Sequence, residues 1–226
     1  LTAEKDGIHA ENADDEEKGY IYIADGDFTI TSDGDGMDAS NIVQIEDGTF
    51  DITAGGGAAN SQKTHESDMP GGPGGGMPQN GEKPEMGEKP DGENMPQDTT
   101  TDESGTSTKG IKAGGGMYLN GGTYQIDSAD DSIHSNANIT IADGTYTLAT
   151  GDDGVHADDA LIVNGGTITV TESYEGLEGL AVTINDGTID ITASDDGINT
   201  AGEKMELNGG YIHILAGGDG VDSNGD

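Results

Sequence analysis

The sequence predicts an all-β fold, a right-handed parallel β-helix of about seven rungs, each rung 21–23 residues long and built from three short strands. Three observations predict it. The chain repeats itself at that period, apolar residues alternate within each repeat, and glycines recur at fixed places between the alternating bursts.

The repeat is clearest in the second half. "ADDSIHSNANITIADGTYTLAT" (129–150) is followed by "GDDGVHADDALIVNGGTITVTE" (151–172), "SYEGLEGLAVTINDGTIDITA" (173–193) and "SDDGINTAGEKMELNGGYIHILA" (194–216). Upstream, 4–32, 33–54 and 109–128 follow the same plan, and "GGDGVDSNGD" (217–226) begins another unit. In the unit at 151 the bursts are Val155/Ala157, Leu161/Val163 and Ile168/Val170. Alternation is the strand period, and nothing in the chain has a helical one. Parallel crossovers default to the right-handed sense.

Stacking places equivalent residues about 4.8 Å apart, so seven rungs make a rod of about 34 Å. The third strands then bring Phe28, Phe50, Tyr124 and Tyr146 into one interior stack, continued by Ile168, Ile189 and Ile212. The glycine before each third strand (Gly26, Gly48, Gly122, Gly144, Gly166, Gly187, Gly210) suits a turn with positive φ.

Residues 62–108 break the pattern. They hold all six prolines and four of the seven methionines, a low-complexity composition that cannot build a core. The expected organisation is rungs over 1–61, an insert over 62–108, and rungs over 109–226 continuous with the first set.

Composition excludes several functions. Forty-five acids face eight bases, all of them lysine, for a formal charge of −37. A nucleic-acid groove needs basic side chains and is excluded. With no cysteine there is neither a disulfide framework nor a thiolate metal site. Scarce Tyr and Phe and absent Trp argue against a platform of stacked aromatics for sugars. No apolar run is long enough for membrane insertion. An acidic, Gly- and Thr-rich, cysteine-free chain opening on Leu1 reads as a mature or trimmed protein, secreted or at the cell surface.

The acids are ordered. The residue before the aligned corner Gly is Asp6, Asp35, Lys109, Asp131, Asp153, Glu175, Asp196 or Asp219. Two residues after that Gly, on the outward side, come His9, Asp38, Lys112, His134, His156, Glu178, Asn199 and Asp222. Asp130, Asp152 and Asp195 add a third column. Two carboxylates 4.8 Å apart repel by about 0.9 kcal/mol in water and about 3.5 kcal/mol at an effective dielectric of about 20. Splaying into solvent lowers that cost, and bound cations reverse it. Hard, clustered oxygens fit Ca²⁺ better than zinc or copper. The expected Ca²⁺ ligands are Asp35, Asp38, Asp131, Asp153, Glu175, Glu178, Asp195, Asp196, Asn199, Asp219 and Asp222. The stretch from Asp131 to Asp222 is favoured because no lysine interrupts it there, while Lys109 and Lys112 neutralise the part above. Asp and Gly are also plain turn formers. His134 and His156 suggest zinc, but they form a two-member ladder without a third ligand, so exposed ring stacking is the expectation.

The outward residues of the third strands include Thr145, Thr147, Thr167 and Thr169, within a longer array from Thr29 to Thr192. Flat threonine arrays occur on ice-binding β-helices, but Asp51, Gln125, Asp127 and Asp190 interrupt this one. The same hydroxyl face suits a crystalline glycan, with His134 and His156 as further candidate ligand contacts.

The recurrent "DDG[IV][HN][AST]" and "[DN]G[TG][IFY]x[IL]" elements, with a Gly/Met/Pro-rich insert, resemble the carbohydrate-binding β-helix proteins secreted by polysaccharide-degrading bacteria. The resemblance covers nearly all the chain except the insert. It implies a pectate-lyase-like superfold, calcium, and adhesion to plant cell-wall polysaccharide such as cellulose or acidic sugars. Two alternatives stay open. The similar phase of "KDGIHA" and "GDGVDS" suggests head-to-tail self-association into a filament. A calcium-dependent lyase needs a base, and Lys112, expected beside Asp38 and near Asp131, is the candidate, with charge neutralisation as its plainer role.

Overall fold

The computed structural model describes residues 1–12, 15, 18–63, 107–202 and 204–223. Apart from Gln62, Lys63, Ser107 and Thr108, the predicted insert lies outside the described residues. The described rungs form an all-β solenoid of about seven turns, with every strand pairing parallel.

Third strands form one eight-stranded sheet in strict chain order: Thr2–Ala3, Asp27–Ser32, Thr49–Ala54, Thr123–Ser128, Thr145–Thr150, Thr167–Glu172, Thr188–Ala193 and Tyr211–Ala216. The strands on either side of the predicted insert are direct neighbours: Tyr124 pairs with Phe50, and Ile111 with Met37.

Alternation sets the core. Phe50, Ile52 and Ala54 point inward and are buried, while Thr49 and Asp51 face solvent. Ring centroids of Phe28, Phe50, Tyr124 and Tyr146 stand 5.1, 4.7 and 4.6 Å apart with planes within 9° of parallel, so the predicted aromatic stack is formed. Each predicted turn glycine has positive φ; at Gly48, with φ 136°, a side chain would be strained as well as crowded by the Phe50 ring.

The second sheet holds the strands at the acidic corner and the middle strands. Corner strands are short, such as Ile8–Ala10, Met37–Ala39, Ile111–Ala113 and Ile133–Ser135. Middle strands include Ile21–Ile23, Ile42–Ile45, Gly116–Leu119 and Ile139–Ile141. Three separate strands per rung holds there but fails in two rungs, where corner and middle strands fuse into Val155–Val163 and Leu177–Ile184. "HADDALIV" lacks the asparagines that break "HSNANITI", so the chain stays extended. A register shift between Ala157 and Ala160 keeps Leu161 and Val163 facing the core. At the ends of later middle strands a side-chain ladder forms: Asn185 donates to Asn164 at 2.8 Å and Asn208 donates to Asn185 at 2.9 Å.

Candidate functional site

The acidic corner is more buried than its charge suggests. Asp35 and Asp131 are 1% exposed and Asp153 is 3% exposed. In the middle rungs, therefore, these acids do not relieve their repulsion by splaying into solvent. The reason is a hydrogen bond that runs from rung to rung. One carboxylate oxygen of each aspartate accepts the backbone N–H of the equivalent residue in the next rung. Asp6 accepts from Asp35 at 2.9 Å, Asp35 from Lys109 at 2.7 Å, Asp131 from Asp153 at 3.1 Å, Asp153 from Glu175 at 3.1 Å, and Asp196 from Asp219 at 2.6 Å. Aspartate has the right length for this bond, and carboxylates accepting N–H bonds tolerate burial.

The second oxygen, Oδ2, turns toward the outward column. That of Asp6 lies 3.3 Å from His9 Nδ1, that of Asp131 2.9 Å from His134 Nδ1, and that of Asp153 3.4 Å from His156 Nδ1. The outward residues stack in register, from His9 through Asp38, Lys112, His134, His156, Glu178 and Asn199 to Asp222. The three corner histidines share a local device. Nε2 of each faces an acceptor two residues later: Glu11 at 3.4 Å, Asn136 at 3.0 Å and Asp158 at 3.6 Å. Nδ1 is thereby left facing the acids. This His-x-acceptor pattern is legible in the sequence and was the signal missed.

Lysine placement corrects two expectations. Lys109 Nζ reaches the next rung and sits 2.8 Å from both Asp130 and Asp131, so the stretch beginning at Asp131 is not free of lysine. Lys112 Nζ lies 3.5 Å from Asp35 and 3.6 Å from Asp38; the expected neighbour Asp131 belongs to Lys109 instead. Lys112 serves as counter-ion to two carboxylates. The expectation of exposed histidine stacking is also corrected: His134 is buried, and the His134 and His156 rings meet edge to face at 74°.

Electrostatics are uneven along the corner. Burial works to raise the Asp131 carboxyl, yet Lys109, His134 and His156 together hold it well below the ordinary range. Burial opposes charge on His156, but the Asp153 hydrogen bond and the charges of Asp131, Glu178 and Asp153 push it up to about 10. Glu175 is pushed up to about 9 by burial and then by Asp153 and Glu178, while both of its oxygens accept from Asn199. Glu178 is pushed up to about 8, by burial first and Asp153 second.

Among the described residues, four groups bring three donor atoms within 4.8 Å of one another: Asp6/His9/Asp38, Asp130/Asp131/Asp152, Asp131/His134/His156 and Asp153/His156/Glu178. Ca²⁺ takes six to eight oxygens. The all-oxygen trio already holds the Lys109 ammonium, and the other three include an imidazole. None of the four groups lies in the last rungs. Asp196 is raised by burial and, against the Asp219 N–H bond, by the charges of Asp195, Asp222 and Asp219, all oxygen donors.

The predicted threonines stand where the alternation put them. Thr49, Thr123, Thr145, Thr167 and Thr188 form one exposed column, in register across five strands. Thr147 and Thr169 are paired in a second column. On the middle strands Tyr22, Gln44 and Tyr118 are consecutive in register, and both tyrosines are exposed, which the scarcity of aromatics did not suggest.

A family model described as carbohydrate-binding domain-containing protein matches residues 1–154 and again residues 152–226, so the two matches meet within the corner at Asp152–Gly154. Comparison with curated proteins and with solved structures gives no match. An acid-cornered solenoid with a threonine-lined flat sheet, matched over its whole length, places this chain in the carbohydrate-binding domain-containing protein family.

Proposed function

We propose that the protein binds a β-linked polysaccharide lengthwise along the eight-stranded sheet, outside the cell, without cleaving it. The observation that carries this reading is the column Thr49–Thr123–Thr145–Thr167–Thr188. It offers one hydroxyl per rung, about 4.8 Å apart. That step is close to the advance per residue of a β-1,4-linked glycan, so successive sugars meet successive hydroxyls. Thr147 and Thr169, with Gln125 and Asp51 in the adjoining column, add donors and acceptors. The formal charge of −37 favours a neutral, cellulose-like glycan over a polyuronate unless a cation bridges the two.

Calcium belongs to this reading as a stabiliser. Asp195, Asp196, Asp219 and Asp222 would hold it in the last rungs, where the charges of Asp195, Asp219 and Asp222 bear on Asp196.

Binding to insoluble cellulose, xylan and polygalacturonate, each with and without EDTA, tests the proposal. A Thr145→Arg/Thr167→Arg variant places two bulky cations in the middle of the column on solvent-facing positions. It is expected to lose binding while keeping the circular-dichroism spectrum of the parent. The Tyr22→Ala/Tyr118→Ala variant is expected to keep binding. Unchanged retention by the arginine variant, or loss only in the tyrosine variant, overturns the assignment of the threonine face.

A further inference from the structure

We propose that Asp131, His134 and His156 form a binding site for a divalent transition-metal ion of the zinc type, separate in chemistry and place from calcium in the last rungs. The first observation is the donor set. One donor atom from each of Asp131, His134 and His156 lies within 4.8 Å of the other two. Oδ2 of Asp131 stands 2.9 Å from His134 Nδ1 and 4.0 Å from His156 Nδ1. These separations bracket the edge of about 3.4 Å between ligands of a tetrahedral ion with bonds near 2.1 Å. Two imidazoles and a carboxylate suit zinc and its neighbours, and calcium poorly.

The second observation is independent of the cluster. His134 is only 9% exposed, and its Nδ1 is fully enclosed with no hydrogen-bond partner. It lies 2.9 Å from the Asp131 Oδ2. The Oδ1 of Asn136 stands 3.0 Å from Nε2 and accepts there, which leaves Nδ1 as the nitrogen turned toward Asp131. Once Nδ1 gives up its proton, it and Oδ2 stand 2.9 Å apart as two ligands for one ion. An acceptor on the far nitrogen, fixing tautomer and ring angle, is what metal-ligating histidines carry. His156 has Asp158 beside Nε2 in the same way, and an ion at its Nδ1 takes the place of the proton there.

The surroundings fit. The Asp131 Oδ1 is held by the Asp153 N–H, and an ion on Oδ2 displaces the Lys109 ammonium from that oxygen and leaves it to Asp130. Asp153 and Glu178 each place a carboxylate oxygen 3.4 Å from His156 Nδ1 and are the neighbours from which a fourth ligand comes. A third corner histidine, His9, faces Asp6 and Asp38 but is exposed and bonds no second imidazole, so it serves as the control.

The test is Co²⁺ and Zn²⁺ uptake by the whole chain after chelator treatment, in the presence of excess Ca²⁺. One ion is expected to bind at the corner, with the visible absorption of four-coordinate Co²⁺. His134→Gln/His156→Gln is expected to lose that ion, and His9→Gln and His213→Gln to keep it. Asn136→Ala, which frees the His134 ring, is expected to weaken binding about 10- to 100-fold. No uptake by the parent, displacement by Ca²⁺, uptake unchanged in the double variant, or loss in His9→Gln overturns the site. Should the double variant fail to fold, pulsed electron paramagnetic resonance of Cu²⁺ on the parent decides: coupling to two imidazoles supports the site, and coupling to one or none overturns it.

Discussion

The ammonium of Lys109 lies 2.8 Å from Oδ2 of Asp131, one rung away, at a position where most rungs carry an acid. Both groups are largely shielded from water. Removing one partner of such a pair strands the other charge, at a cost of about 3–5 kcal/mol. Lys109→Met in chelator is expected to lower Tm by an amount on the order of 10 °C. Adding Asp131→Asn should recover much of the loss, because the amide oxygen still accepts the Asp153 N–H without a charge. Thermal melts of the two variants check this, with Lys5→Met, at an exposed site, as reference.

Glu175 gives the corner a pH dependence. Its folded value, about 9, lies above the ordinary 4.5. A raised carboxyl binds its proton more tightly folded than unfolded, so its contribution is fully present below about pH 4.5 and is lost as pH rises through about 9. Glu178, at about 8, acts in the same direction. Without divalent ions, Tm is expected to fall steadily from pH 5 to pH 9. Glu175→Gln mimics the neutral acid, and its melting curve against pH should be flatter than the parent's.

The aromatic stack predicts two graded losses. Tyr124 is fully enclosed between Phe50 and Tyr146, so Tyr124→Ala should cost about 3–5 kcal/mol by denaturant titration. Tyr146→Phe keeps the ring and removes the hydrogen bond its hydroxyl donates to the Asp143 carbonyl, together with its contact to the Tyr124 hydroxyl, about 1 kcal/mol. Burial raises both phenols above their ordinary value of 10. Their contribution is present below pH 10 and lost above it, so phenolate absorbance from these two should appear together with unfolding.

Gly154 serves contact rather than φ. A Cβ there would lie 2.5 Å from the Gly176 carbonyl oxygen of the next rung and 3.0 Å from a Val170 methyl. Gly154→Ala is expected to spread the two rungs and destabilise by about 1–3 kcal/mol, read from the denaturant midpoint.

The solenoid was legible because its signals are local and repeated. Phe28, Phe50, Tyr124 and Tyr146 could be aligned by eye, and their stacking follows from the period alone. Fusion of the strands at Val155–Val163 depended on missing turn residues and a register slip, which alternation does not report. At the corner the columns were legible but their contacts were not. Whether Asp131 meets Lys109 or Lys112 depends on the reach of a flexible side chain across rungs. Whether Asp153 is solvated or bonded to the Glu175 N–H depends on the backbone path around the turn. Reading along one column shows only His134 and His156, and Asp131 joins them from the neighbouring column.

The aspartate-to-backbone bonds tie Asp6 to Asp35 to Lys109, Asp131 to Asp153 to Glu175, and Asp196 to Asp219. Where lysine ends the first run, its ammonium grips the rung below. Where Glu175 ends the second, its carboxylate turns aside to Asn199. Under tension along its axis the described solenoid is therefore three linked segments, the first joint closed by the Lys109 ammonium and the second, between the Glu175 and Asp196 rungs, by the side-chain hydrogen bonds of Asn199.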